Sequence, residues 1–378
     1  MTHRRDHNSV PLGRRVAEFR AHRGMSQQTF ADRLGKSKSW VDKIERGVRR
    51  LDRYSVIREI ANVLRLDPEM LLGPHQPPGT TPHLDGIDGV RAALARYHHR
   101  PERTETAQQV SAQVAYAWMA YHHARYPQLL DTLPDLLDAT SGTRGLLTSA
   151  HRLTASVLVK LDHADLGWLA ADRAVTAAGG PILIATATIA VAEALRALGH
   201  HHLAHTAALA TADHADDDTV RGTLYLQAGL AAAGNGDRHT AHDLLDHAAA
   251  LADRHTGDAD PHHTGFGPAA VQVARALAAH HLGDTTEALH RHVHTIRSDS
   301  WRRLPPEHRA AHLIDAARAY LDTGQHDRAG QVLLDADRTA PAEVRHRPVA
   351  RTLLTDIIRS GPAAADVARL ATILGLTC

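Results

Sequence analysis

Apolar residues along this chain recur at every third or fourth position and almost never alternate with polar ones, a period that predicts helices and no sheet. The sharpest case lies between Met25 and Gly47. Phe30, Ala31 and Leu34 form one apolar stripe, Val41 and Ile44 form a second, and Gly35 stands between them where a tight turn favours positive φ. Ser26 is placed to cap the first of these helices. The outer face of the second keeps Lys36, Ser37, Lys38, Ser39, Asp42, Lys43 and Arg46, a polar and mostly basic set that suits a DNA major groove. Residues 73–86, rich in proline and glycine, break the periodicity and read as a linker. Beyond them alanine and leucine return at helical spacing to the end of the chain. The fold class expected is all-α, with a DNA-binding domain over 1–73, a linker over 74–86 and a helical repeat domain over 87–378.

The 25–47 stretch resembles the Cro and lambda-repressor-like (XRE) helix-turn-helix family without a gap. Leu12 to Arg23 is similar to that family's first helix, and Ser55 to Leu66 with Asp67 to Gly73 to its fourth and fifth, so the resemblance implies a five-helix domain. It also implies that Gln27 holds a phosphate and that Lys38, Ser39 and Lys43 reach base edges. Gln28, Lys36, Ser37, Trp40, Arg46, Arg49 and Arg50 complete the candidate DNA-binding set. Trp40 is open to two roles, packing on the sugar-phosphate or on the domain itself.

The C-terminal part is internally periodic. Tyr225, Ala228, Gly229 and Ala232 precede a turn at Gly236-Asp237 and are followed by Ala241, Leu245 and Ala248. Leu313, Ala316, Ala317 and Tyr320 precede Gly324-Gln325 and are followed by Ala329, Leu333 and Ala336. Both series resemble the tetratricopeptide repeat, a helix-turn-helix unit of about 34 residues. Weaker copies turn near Ala124, Asp162, Gly199 and Gly283, and the excess spacing goes into loops, notably residues 254–268. Stacked repeats form an α-solenoid with a concave groove. Its expected lining includes Trp118, Tyr121, Arg152, Glu193, Arg196, Leu230, His280, Ile314 and Arg318. Arg152, Arg196 and Arg318 are the preferred ligand contacts, because a long charged side chain on a concave wall has few structural reasons to be there.

Charge separates the two parts. Residues 1–73 hold 16 Lys+Arg against 9 Asp+Glu, whereas the remaining 305 hold 27 against 33, so a total of +1 hides a basic head and an acidic body. A basic unit suits a polyanion. Arg14, Arg15, Arg20, Arg23, Arg49, Arg50 and Arg53 are candidates for phosphate contact. Cys378 is the only cysteine, which excludes an intrachain disulfide and a cysteine zinc site. No run of about 18 apolar residues marks a membrane span, and a cytoplasmic protein is expected. The 31 histidines read as a solvated surface that gains charge as pH falls. His290 and His294 share a helix face without the further ligands of a zinc site, so no metal and no cofactor are expected. Neither a phosphate loop with its lysine nor a G-x-S-x-G elbow occurs, and an enzyme is not expected.

A DNA-binding head joined to a tetratricopeptide-like body resembles the peptide-pheromone receptors of the Rgg and PlcR type. The resemblance implies a ligand-responsive, dimeric transcriptional regulator, and the function expected is that of a homodimeric repressor on an inverted repeat in double-stranded DNA, modulated from the repeat groove. Those receptors commonly clamp a peptide backbone with asparagines on their inner helices. Asn8, Asn62 and Asn235 are the only asparagines here, so a peptide, a small molecule and a protein effector all stay open. An interaction adaptor and an antitoxin or plasmid-maintenance repressor, with a protein partner on the repeats, are the alternatives.

Overall fold

Serine caps and glycine turns set the helices of the N-terminal unit. The computed structural model describes residues 12–46, 60–64, 66, 86–96, 105–254, 260–361 and 364–376, and the chain divides into two units, 1–80 and 81–378. In the first, α1 (Leu12–His22), α2 (Gln27–Arg33) and α3 (Lys38–Glu45) precede a helical stretch at 60–64. Ser26 Oγ accepts from Thr29 N at 3.0 Å and Ser37 Oγ from Trp40 N at 3.2 Å, each satisfying a backbone donor that its helix leaves open. Gly35, at φ +61°, turns the chain between α2 and α3. Val16, Phe30, Ala31, Val41, Ile60, Ala61 and Leu64 form the core. The expected fifth helix, half of the fourth, Arg49, Arg50, Arg53 and the body of the linker lie outside the described residues.

The second unit opens with α4 (Ile87–Ala95). Six helix pairs follow: α5 (Ala107–His122) with α6 (Tyr126–Thr140), α7 (Arg144–Lys160) with α8 (Ala164–Ala177), and α9 (Pro181–Ala197) with α10 (His201–Ala212). Then come α11 (Asp218–Gly234) with α12 (Arg238–Arg254), α13 (Pro268–His281) with α14 (Thr285–Arg297), and α15 (Pro306–Asp322) with α16 (His326–Thr339). Three short helices end the unit: α17 (Pro341–Arg345), α18 (Pro348–Arg359) and α19 (Ala365–Ile373).

One backbone device closes all six pairs. The turn residues Ala124, Asp162, Gly199, Gly236, Gly283 and Gly324 all have positive φ, from +53° to +81°. In each turn the N–H after this residue donates to the carbonyl five positions back, as Asp237 does to Ala232 at 3.0 Å, and the residue itself donates three back, as Gly236 does to Ala233. This closure satisfies carbonyls that the first helix would leave open, and it fixes the reversal into the second. Gly236 at φ +81° has open space where a Cβ would stand, so Gly236→Ala isolates the backbone cost. Urea unfolding of the full chain is expected to show a loss of about 1–2 kcal/mol. Asp162→Gly, at an exposed position with φ +67°, is expected to move stability the other way by up to about 1 kcal/mol.

The array does not stay open at its ends. Residues of α4 to α8 share one hydrophobic core with residues of α15 to α19, and α5 packs against α15. Two further cores fill α9 to α12 and α11 to α13, the latter joined by Leu304. The expected concave groove is thereby curled into a central cavity. Among the described residues no helix is long and apolar enough to cross a membrane.

Candidate nucleic-acid interface and central cavity

Burial of Val41 and Ile44 fixes the rotation of α3 and turns its opposite side to solvent. Lys36, Ser37, Lys38, Ser39, Lys43 and Arg46 are all exposed, as is Gln28 at the start of α2. Lys38, Ser39 and Lys43 carry no ion pair among the described residues. Arg46 reaches Asp42 at 3.3 Å and Gln28 reaches Asp32 at 2.8 Å, both one helical turn away on the surface. Trp40 is half-buried against the core, and the Lys36 ammonium stands 6.0 Å from its ring centre. Of its two expected roles, packing on the domain is the one seen.

Two expectations change at Glu45. Arg20 Nε and Nη2 donate to its two oxygens at 2.5 and 3.0 Å, and Arg20 Nη1 donates to the Met25 carbonyl at 2.6 Å. Gln27 Nε2 donates to Glu45 as well, at 2.8 Å. Arg20 is therefore a neutralised brace between α1 and α3 rather than a free phosphate contact. The Gln27 amide nitrogen is tied inward instead of being presented to a backbone phosphate. The carboxylate at the end of α3 lies within reach of both and is almost fully buried, so it needs their donors.

In the repeat unit the first helix of every pair contributes to a cavity of about 500 Å³. Of the residues expected on the groove, Trp118, Tyr121, Arg152, Glu193, Arg196 and Leu230 line it. Trp118 Nε1 donates to Ser149 Oγ at 2.8 Å, and its ring lies 5.2 Å from the Arg152 guanidinium and stacks on His263 at 4.9 Å. Arg152 Nη1 donates to the His262 carbonyl at 3.1 Å. Arg196 Nη1 donates to Gln227 Oε1 at 2.6 Å, while Ser156 donates to Glu193 at 3.0 Å. Burial lowers the Arg152 pKa to about 10, against the pull of Glu193 and Asp260. It raises the Glu193 carboxyl, against the Ser156 hydrogen bond and the two arginines.

The loop read from sequence as a simple insertion is a wall of this cavity. Asp260 accepts from Thr264 N and Gly265 N at 2.9 and 2.7 Å, which folds residues 260–265 into a tight turn. Phe266 lies where a Cβ on Gly222 would stand, so only glycine on α11 admits the ring. His263, Thr264 and Gly265 are thus held against the cavity.

Three groove expectations fail. Arg318 pairs with Asp356 of α18 at 2.8 Å, one helical turn beyond the His308, Ala311, His312 and Asp315 stripe by which α15 faces the cavity. His280 Nε2 stands 3.6 Å from Asp322 and lies outside the lining, because the phase of α13 presents Ala270, Val273, Ala274, Leu277 and His281 instead. Ile314 is core. The histidines are not all solvated either. His151, His292 and His312 are buried, and His122, His263 and His308 line the cavity.

A second polar cluster, absent from the sequence reading, joins the ends of the array. Glu343 of α17 is fully buried and accepts from the Tyr126 hydroxyl, from Lys160 Nζ at 2.9 Å and from Arg347 Nη1 at 2.6 Å. Lys160 also meets Glu307 at 2.5 Å. One signal was available. Lys160 is the only lysine after Lys43 in a chain that otherwise uses arginine.

Comparison with known proteins gives matches of different extent. Residues 11–72 match the model of a helix-turn-helix domain family. The chain is 39% identical over 64 residues to the uncharacterized HTH-type transcriptional regulator YazB of Bacillus subtilis (strain 168), spanning 17% of this chain and 91% of that protein. Among solved structures it is similar to Bacillus thuringiensis PlcR, crystallised in complex with the peptide PapR7 and DNA. That match has 11% identity and a TM-score of 0.39, and covers 88% of this chain and 98% of that one. With the caps, the glycine turn and the outward basic face of α3 in place within residues 11–72, the chain belongs to the XRE-like helix-turn-helix family of DNA-binding transcriptional regulators and carries a tetratricopeptide-like helical array C-terminal to its DNA-binding head.

Proposed function

We propose that the chain reads a specific DNA sequence through α3 as a homodimer on an inverted repeat, acts as a repressor, and is modulated by an effector in the cavity of the repeat unit. The observation that carries this reading is the exposed set Lys38, Ser39 and Lys43, without ion pairs among the described residues, on a helix whose other face is locked into the core. Lysines at such positions favour guanine edges, and a serine accepts either base type. Two heads side by side would meet half-sites about 34 Å apart. The cavity supplies the second half of the reading: it draws on all six repeats, so an occupant bears on the packing of the whole array. An effector changes DNA affinity only if it binds two arrangements of the protein unequally.

Selection from random duplexes tests the reading, with a palindrome protected as a short symmetric footprint as the expected result. Sequence-indifferent, salt-sensitive binding would favour an adaptor instead. Lys38→Ala and Lys43→Ala are each expected to weaken the selected site by about 1–3 kcal/mol and to relax base preference. Equal losses on selected and random DNA, measured by fluorescence anisotropy, would remove the base-reading role.

A further inference from the structure

The charges around the cavity are unevenly paired. Lys160 and Arg347 are matched by Glu307 and Glu343 at 2.5 to 2.9 Å. Arg152 and Arg196 have no carboxylate within ion-pair distance among the described residues. Their hydrogen bonds go to a carbonyl and a carboxamide, and carboxylates act on them only through space, Glu193 and Asp260 on Arg152, Glu193 and Asp315 on Arg196. Arg196 Nε is buried with no hydrogen-bond partner among the described residues. Neither guanidinium therefore has a carboxylate in contact, and each keeps donors for an acceptor that enters the cavity. Asp315, across on α15, has no hydrogen bond or ion pair among the described residues, and burial raises its carboxyl above the usual range. A buried polar group without a partner is costly and points to something that supplies one.

Resting on the reading of this cavity as an effector site, we infer that its ligand is a small dipolar molecule, an aminocarboxylate with an apolar body. The carboxylate meets Arg152 and Arg196, the ammonium meets Asp315, and the body lies along Leu226, Leu230 and Val273. A volume of about 500 Å³ falls in the range that holds one small molecule. An extended peptide backbone finds no free clamp, because Gln227, the one carboxamide in the lining, is engaged at both ends with Arg196 and Glu193.

The test uses the full chain in thermal-shift and calorimetric titrations. The probes are apolar amino acids and unblocked dipeptides, each beside its N-acetylated and its C-amidated form. Unblocked members are expected to raise the melting temperature, and blocking either end is expected to weaken binding about tenfold or more. Asp315→Asn, nearly isosteric, and Arg196→Met are each expected to remove the shift, with ligand-free Arg196→Met no less stable than the parent. A purely structural Arg196 would instead destabilise the ligand-free protein when replaced. The inference is overturned if no probe shifts the protein, if an acetylated or amidated form binds as well as the free one, or if both variants keep the response. DNA affinity measured alongside separates the two readings. Ligand binding without any change at the operator would sink the modulation and leave the inference standing, whereas operator binding with no probe bound would sink the inference alone.

Discussion

Glu343→Ala is expected to cost the repeat unit about 3–5 kcal/mol in chemical denaturation, the figure for breaking a buried ion pair by removing one partner. The carboxylate is fully buried and holds Tyr126 of α6, Lys160 of α7 and Arg347 at the start of α18. Its removal leaves Arg347 without its carboxylate and the buried Tyr126 hydroxyl without an acceptor. Burial alone would raise the Glu343 carboxyl, but Lys160 and Arg347, with the Tyr126 hydrogen bond, outweigh it and hold the pKa at about 2. The ionised form is therefore the one the fold selects. Because these partners are up to 217 positions apart in sequence, the cluster acts as a clasp between the first and last repeats. A loss well under 1 kcal/mol would show that the shared core of α4–α8 and α15–α19 closes the array without it. Glu343→Gln keeps an acceptor for Tyr126 and loses the charge, so it divides the hydrogen bond from the ion pairs.

What could be read in the sequence follows from the range of the interactions involved. Caps, turns and helix faces are local. Ser26, Gly35 and the Val41–Ile44 stripe announced the DNA-binding head, and the six turn residues from Ala124 to Gly324 announced the pairing of the repeats. Even the degenerate turns at Ala124 and Asp162 adopt the same positive φ as the glycines, because the hydrogen bonds of the closure outweigh the strain on a single Cβ. Ring closure depends on contacts between chain ends and has no local signature, so neither Glu343 nor Arg347 was singled out. Arg152 and Arg196 were found because a charged residue on an otherwise small and apolar inner face is anomalous. Arg318 satisfied the same criterion and failed, since its answer, Asp356, sits on a helix that no repeat pattern foretells. The histidines failed for a related reason. Their frequency invited a surface reading, whereas burial depends on helix phase and on which neighbours are small.

Acidification from pH 7 to 5 is expected to remove about 4 kcal/mol or more from the repeat unit, with the loss beginning near pH 6.5. Burial holds His151 and His292 at about 4 and His312 at about 3, all below the ordinary 6.5. The sign follows from where protons bind. A histidine whose folded pKa is depressed is neutral in the native state while the unfolded chain takes up its proton, so stability is full above about 6.5 and falls as pH drops towards the folded value. Each such group removes about 1.4 kcal/mol per pH unit over that window. His292 Nδ1 and His312 Nε2 lie 3.1 Å apart and share a single hydrogen bond, so the pair cannot carry a proton on both facing nitrogens. Two carboxyls oppose the trend. Glu193 and Asp315 are raised by burial, bind protons more readily in the folded state, and offset part of the loss at the acid end of the window. His263 and His281 are held at about 4 as well, so replacing His292 and His312 together with leucine is expected to flatten the profile between pH 6.5 and 4.5 by roughly two of five such contributions. An unchanged slope in urea denaturation across that range would mean that both rings are protonated, or solvated, in the folded protein.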